Sequence, residues 1–191
     1  MRASYNYIPP ELFGDIVQAV PELHIRKWKD EDVQMLFKIA YWCGLRINEA
    51  IKRKAEDFDL ELRYVYLGIT KTKKQDRGTI PELFVPELER WLKDKTGPLF
   101  PGMNYHIVYH WCGRLGKLLH IEAWLEPQSA TGEKTKTHIF RKSVGKDMIY
   151  GTIDGVKQPL NIVQKKLRHT TLDMTSNYLK VGAEDVKSAG W

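Results

Sequence analysis

The sequence predicts a mainly α-helical α+β domain with one small antiparallel β-hairpin. Three observations predict it. Apolar residues recur at helical spacing through most of the chain. A single stretch, Leu62 to Ile69, is rich in β-forming residues and runs into a polar, basic turn. A length of 191 residues accommodates one domain with a sizeable core and would be cramped for two, so 1–191 is read as one unit.

In chain order, Pro9-Pro10-Glu11 opens a short helix with Leu12, Ile16, Val17 and Val20 at helical spacing, and Pro21 stops it. The acidic cluster Asp30-Glu31-Asp32 marks the start of a longer helix, because carboxylates there face the positive end of the helix dipole. Its apolar stripe is Val33, Leu36, Ile39, Ala40 and Cys43. Gly44 breaks it, and a second helix starts within Leu45 to Ala50 and runs to about Lys54. The break puts Arg46 at a helix start, where free N–H groups favour an anion. On this segment alone, an ordinary surface arginine is the better reading. Asp57 to Asp59 reads as a turn and Leu62 to Ile69 as a strand. Thr70 to Gly78 reads as a basic hairpin carrying Lys71, Lys73, Lys74 and Arg77, either a solvated tip or a phosphate-binding finger.

Phe84 to Lys95 is an amphipathic helix with Leu88, Trp91 and Leu92 inward. Asn104 to His120 is another, with Ile107, Val108, Trp111, Leu115 and Leu118 as its buried side. His106 and His110 stand at i, i+4 but lack the glutamate of a zinc-protease site and a third ligand, so no metal is assigned there. Cys43 and Cys112 fall in apolar stripes and read as reduced packing residues. After a polar loop at 121–135, a helix from Thr137 to about Tyr150 presents His138 and Arg141 three apart, on one face. Gly151 to Gly155 is a turn. Pro159 to Leu167 is helical, with Leu160, Ile162, Val163 and Leu167 apolar. Thr171 or Asp173 caps a last helix that carries Tyr178, nine residues after His169.

The net charge of +6 favours a polyanionic partner. No apolar run approaches the ~18 residues of a membrane helix, and the N-terminus has no signal-peptide pattern. The expectation is a cytoplasmic protein without a membrane partner. Taken together, Arg46, Lys71, His138, Arg141, His169 and Tyr178 suit attack on a phosphodiester. Two guanidiniums clamp the non-bridging oxygens, where charge grows in the transition state. Tyrosine is a nucleophile once a base takes its proton, and lysine delivers a proton to the departing 5′ oxygen. The set requires no metal, and no cofactor is expected.

At this point the chain resembles a known family, the tyrosine recombinases or phage integrases. Gly44-Leu-Arg46-Ile-Asn-Glu49-Ala is similar to the family's first arginine box, and Thr70 to Pro81 to its β-hairpin lysine segment. His138-Ile-Phe-Arg141 resembles its His-x-x-Arg motif, and Leu167-Arg-His169 with Tyr178 its closing histidine and nucleophile. The boxes follow the family's order and cover nearly the whole chain. The resemblance implies a tyrosine recombinase catalytic-domain fold and a site-specific recombinase acting on double-stranded DNA through a 3′-phosphotyrosine. It further implies that Arg46 and Arg141 bind the scissile phosphate, Lys71 is the general acid, His138 handles the tyrosine's proton and His169 hydrogen-bonds the phosphate. Lys73, Lys74, Arg77 and Arg168 are expected to contact DNA, and assembly on DNA as a tetramer is implied. Glu49 is expected to orient its helix.

Some residues depart from the family's pattern. Arg168 stands where glycine is usual, either closing a backbone approach or adding a phosphate contact; Lys142-Ser143 replaces the usual pair after the second arginine. Thr175 is what remains of a Thr-Thr pair, and Lys180 stands where histidine is frequent. The family's N-terminal DNA-clamping domain is expected to be absent, making this an isolated or minimal catalytic domain with a short tail. Two other activities suit the same residues: type IB topoisomerase-like relaxation, and a DNA-binding accessory role with impaired catalysis.

Overall fold

A computed structural model describes residues 7–69, 75–121, 137–153 and 155–179. Pro10–Gln18 forms α1, with proline in the first turn, where its missing N–H costs nothing. Asp30–Trp42 is α2, its first turn carrying Asp30, Glu31 and Asp32. Ile47–Ile51 is a short α3. Phe58–Asp59 (β1), Tyr64–Ile69 (β2) and Gln75–Thr79 (β3) make an antiparallel sheet in that order, with Val65 opposite Gly78. The remaining helices are α4 (Val85–Leu92), α5 (Tyr105–Leu118), α6 (His138–Tyr150), α7 (Leu160–Leu167) and α8 (Leu172–Leu179).

The predicted class is the observed one, and the differences are local. The helix after Gly44 ends at Ile51 rather than near Lys54, because a 3-10 turn at Ala55–Asp57 takes over, with Asp57 Oδ2 accepting from Lys54 N–H at 2.8 Å. The expected turn at Asp57 to Asp59 contributes the edge strand β1. Leu118, expected to face inward, is exposed, as is Ile162, one of the apolar residues of its helix. Leu88, Trp91, Val108, Trp111 and Leu115 are buried as their spacing predicts. Cys43 and Cys112 are buried free thiols. No helix among the described residues is long and apolar enough to cross a membrane.

Two apolar clusters build the interior. The larger spans Ile8 to Phe140 and takes in α1, α2, α4 and α5. Phe140 enters it from α6, stacked on Phe37 at 5.0 Å and edge-on to Phe13 at 6.0 Å. The smaller joins Val144 of α6 to Val163 and Leu167 of α7 and Leu179 of α8, with Tyr178 packed against it. Gly145 permits this approach, since a Cβ there would stand 2.9 Å from a Leu179 methyl and 3.0 Å from one of Leu167. Helix α6 therefore threads both clusters, and Arg141 lies between Phe140 of the first and Val144 of the second.

A buried polar group also crosses this region. The Tyr41 hydroxyl donates to Asp147 Oδ2, and Thr152 Oγ1 donates to Oδ1 at 2.7 Å. Burial pushes the Asp147 carboxyl up, the two hydroxyls pull it back, and it settles at about 6. Between the ordinary 3.8 and 6, the folded chain keeps a proton that the unfolded chain has lost, so this group's contribution to stability falls as pH rises through that window. Asp147→Asn should remove that dependence. In urea titrations, the stability of the variant relative to the parent should therefore increase between about pH 4 and about pH 6.

Candidate active site

Two helix ends frame the site, and they use the same turn. At the end of α2, Gly44 N–H donates to Tyr41 O at 3.0 Å and Leu45 N–H to Ala40 O at 3.0 Å. This is a Schellman turn, which needs a left-handed residue, and Gly44 supplies it at φ +63° without a Cβ penalty. At the end of α7, Arg168 N–H donates to Lys165 O and His169 N–H to Gln164 O, both at 3.1 Å. The left-handed position here is Arg168 itself, at φ 53°. The first turn delivers Arg46 and the second delivers His169.

Arg141 joins the two turns. Its side chain is 1% exposed; Nη1 donates to Gly44 O at 2.6 Å and Nη2 donates to Leu167 O. Both acceptors are helix-end carbonyls left without intrahelical partners, a fitting environment for a cation. Burial, then the charge of Arg168, bring the Arg141 guanidinium down to about 10, so it stays charged at neutral pH.

Arg46 caps α3 and is exposed. Glu49 Oε2 accepts from its N–H at 2.7 Å, and Arg46 Nη1 donates to Oε1 at 2.8 Å. Burial raises the Glu49 carboxyl, but the charge of Arg168 and the hydrogen bonds from Arg46 and Arg168 outweigh it, leaving the pKa below the ordinary value. The expected orienting role of Glu49 thus has a concrete form: it closes the first turn of α3 on its own cap.

His169 and Tyr178 meet edge to face, with ring centroids 5.0 Å apart. Thr171 Oγ1 accepts from Met174 N–H at 3.2 Å, which makes Thr171, not Asp173, the cap of α8. Thr175 Oγ1 donates to Thr171 O at 3.3 Å and lies 3.1 Å from His169 Nδ1, so Nδ1–H donates to the hydroxyl and Nε2 holds the lone pair. Burial first, then Arg141, Arg46 and Arg168, hold the His169 imidazole down at about 4. Tyr178 donates to the main-chain carbonyl of His138 at 3.2 Å. Burial pushes its hydroxyl up to about 12, against the opposing pull of Arg141 and Arg46. It is protonated at rest.

The structure thus brings Arg46, His138, Arg141, His169 and Tyr178 together from four elements. Lys71, Lys73, Lys74 and Lys180 lie outside the described residues. Arg77, on β3, stacks on the Tyr64 ring at 4.0 Å. Arg168 turns inward: Nη2 donates to Glu49 Oε2 at 2.5 Å, and Nε lies 3.6 Å from Asp76 Oδ1. Sequence reasoning missed Lys166, a buried ammonium that donates to Thr79 O at 2.8 Å and Thr79 Oγ1 at 3.1 Å and so fastens the base of β3 to α7. Burial brings it down to about 8. It missed Arg53 as well, which donates to Glu49 O at 2.9 Å and to Tyr66 O and so ties α3 to β2. A lysine beside Leu167 in an apolar stripe is a weak hint of burial; nothing in the sequence signals its partner.

Comparison with known proteins accords with this geometry. Residues 14–184 match the Phage integrase family. The tyrosine recombinase XerA of Pyrococcus furiosus is 25% identical over 177 residues, covering 91% of this chain and 57% of that protein. XerC of Rhodospirillum centenum is 28% identical, with 89% and 48% covered. The chain therefore spans about half to two thirds of the length of these curated relatives. Among solved structures, the catalytic domain of bacteriophage HP1 integrase superposes with a TM-score of 0.63 at 18% identity, covering 96% of this chain and 92% of that one. XerH recombinase in its post-cleavage complex with difH substrate superposes at 0.68 and 17% identity, covering 98% and 53%. With the family's model matched over residues 14–184 and the fold of those catalytic domains, the chain belongs to the phage integrase family, the tyrosine recombinases.

Proposed function

We propose that this chain is the catalytic domain of a site-specific recombinase that cuts and rejoins double-stranded DNA through Tyr178. The observation that carries the reading is the packing of the Tyr178 ring against His169, with its hydroxyl in the field of two arginines whose positions are fixed by helix ends. The Tyr178 oxygen attacks the scissile phosphorus, its proton leaves, and the bond from phosphorus to the 5′ oxygen breaks. The product is a 3′-phosphotyrosine and a 5′ hydroxyl. Arg46 and Arg141 stabilise the charge on the non-bridging oxygens. His138 takes the tyrosine proton and Lys71 protonates the leaving oxygen.

His169 acts as a neutral ring. To donate to a phosphate oxygen through Nε2–H it takes the other tautomer, with the Thr175 hydroxyl turning to serve Nδ1. A 5′ hydroxyl from a second strand then reverses the chemistry, and four copies on DNA supply the strands to be exchanged. On this reading the chain works inside the cell, on DNA.

A nicked suicide duplex made from DNA flanking the encoding gene should trap a covalent adduct. Tyr178→Phe should abolish the adduct and leave DNA binding within about twofold; an adduct persisting in that variant places the nucleophile elsewhere. Arg46→Ala should slow adduct formation by about 2–4 kcal/mol of transition-state stabilisation, the size of a lost oxyanion donor. Relaxation of supercoiled DNA without strand exchange would favour the topoisomerase-like activity. In an NMR titration of the folded chain, the His169 ring should change protonation near pH 4 rather than 6.5.

A further inference from the structure

Arg168 occupies a backbone position that disfavours it. A side chain is disfavoured in the left-handed conformation, and the Schellman turn Arg168 closes is served best by glycine. The side chain offsets this strain with a contact. Glu49 and Arg168 are 119 positions apart in the chain, yet Arg168 Nη2 lies 2.5 Å from Glu49 Oε2. Glu49 is thereby held by two guanidiniums, Arg46 on Oε1 and Arg168 on Oε2.

The two partners differ in exposure. The Arg168 side chain is 11% exposed and that of Arg46 is 48%. Arg168 Nε and Nη1 are buried and form no hydrogen bond among the described residues, so beyond the Nη2 bond to Glu49 the guanidinium is held by charge, with Asp76 Oδ1 3.6 Å from Nε. With Arg46 as its sole partner, Glu49 would neutralise the guanidinium that a phosphate needs. With Arg168 present, the carboxylate keeps a partner when Arg46 lets go.

We infer that Arg168 is a positioning residue: it is the permanent counter-ion of Glu49, and it frees Arg46 to move from Glu49 to a phosphate. The inference rests on the reading of Arg46 as a phosphate ligand. Arg168 need not touch DNA in this role. It also joins helix α3 and strand β3 to the turn that carries His169, through Glu49 and Asp76.

Inorganic phosphate is the probe, titrated while the Arg46 side-chain Nε–H resonance is followed by NMR. Arg168→Gly installs the residue the turn favours, so the fold is kept. It should weaken phosphate binding about tenfold, because Glu49 then holds Arg46 alone. Adding Glu49→Gln to Arg168→Gly should restore binding to within about threefold of the parent, and Arg168→Lys should stay near the parent. A double variant as weak as Arg168→Gly would reduce Arg168 to a structural strut and overturn the inference. Parental affinity in Arg168→Gly, or an Arg46 resonance that phosphate leaves unmoved, would overturn it too. If the expected pattern appears but no Tyr178 adduct forms on DNA, strand transfer is refuted and the role of Arg168 stands.

Discussion

One buried cation holds the site together. Arg141 gives two donors to two carbonyls, Gly44 O and Leu167 O, and each carbonyl belongs to the C-terminal turn of a different helix. Removing a guanidinium from water costs several kcal/mol, so it remains buried only where good acceptors meet it. Helix C-termini provide such acceptors. Because the two turns are fixed to one planar group, the residues that follow them are fixed as well. Arg46 sits two positions after Gly44, and His169 two after Leu167. Their separation in space is set by the width of an arginine side chain and not by the 122 residues of chain between them.

The same region concentrates positive charge to a degree that folding alone does not call for. Burial and then the charge of Arg168 lower Arg141, and His169 is kept neutral by burial and by the three guanidiniums around it. Glu49 and Asp76 offset part of this charge, and the remainder favours an anion. On the proposed reading, a field arranged before a phosphate binds does not have to reorganise during the reaction. The Tyr178 hydroxyl is kept protonated by the same surroundings. Burial outweighs the arginines at Tyr178, and its proton is lodged on a main-chain carbonyl.

Much of the fold was legible because each helix shows its own period. The stripes of α2, α4 and α5 named core residues, and the acidic start of α2 and the Gly44 break marked its two ends. The less legible parts were short. Strand β1 has two residues, and α3 is little more than one turn, so neither has a period to read. Ile162 and Leu118 show the limit of a stripe: periodicity identifies an apolar face but not how far the neighbouring element reaches across it.

The sequence by itself determined the chemistry available: two arginines, a His-x-x-Arg pair, and a histidine nine residues before a tyrosine, in an order that matches one family. It also marked Arg168 as out of place in that family's pattern. Only the tertiary structure decided where these groups point and what they hold. That Arg141 bridges two helix ends, that Lys166 is buried against Thr79, and that Arg168 shares Glu49 with Arg46 all depend on residues far apart in the chain. Hydrogen bonds and ion pairs act over a few ångströms of space, whereas sequence patterns report only neighbours along a helix or strand. The partners of a buried charge therefore come into view only when the chain has closed around it.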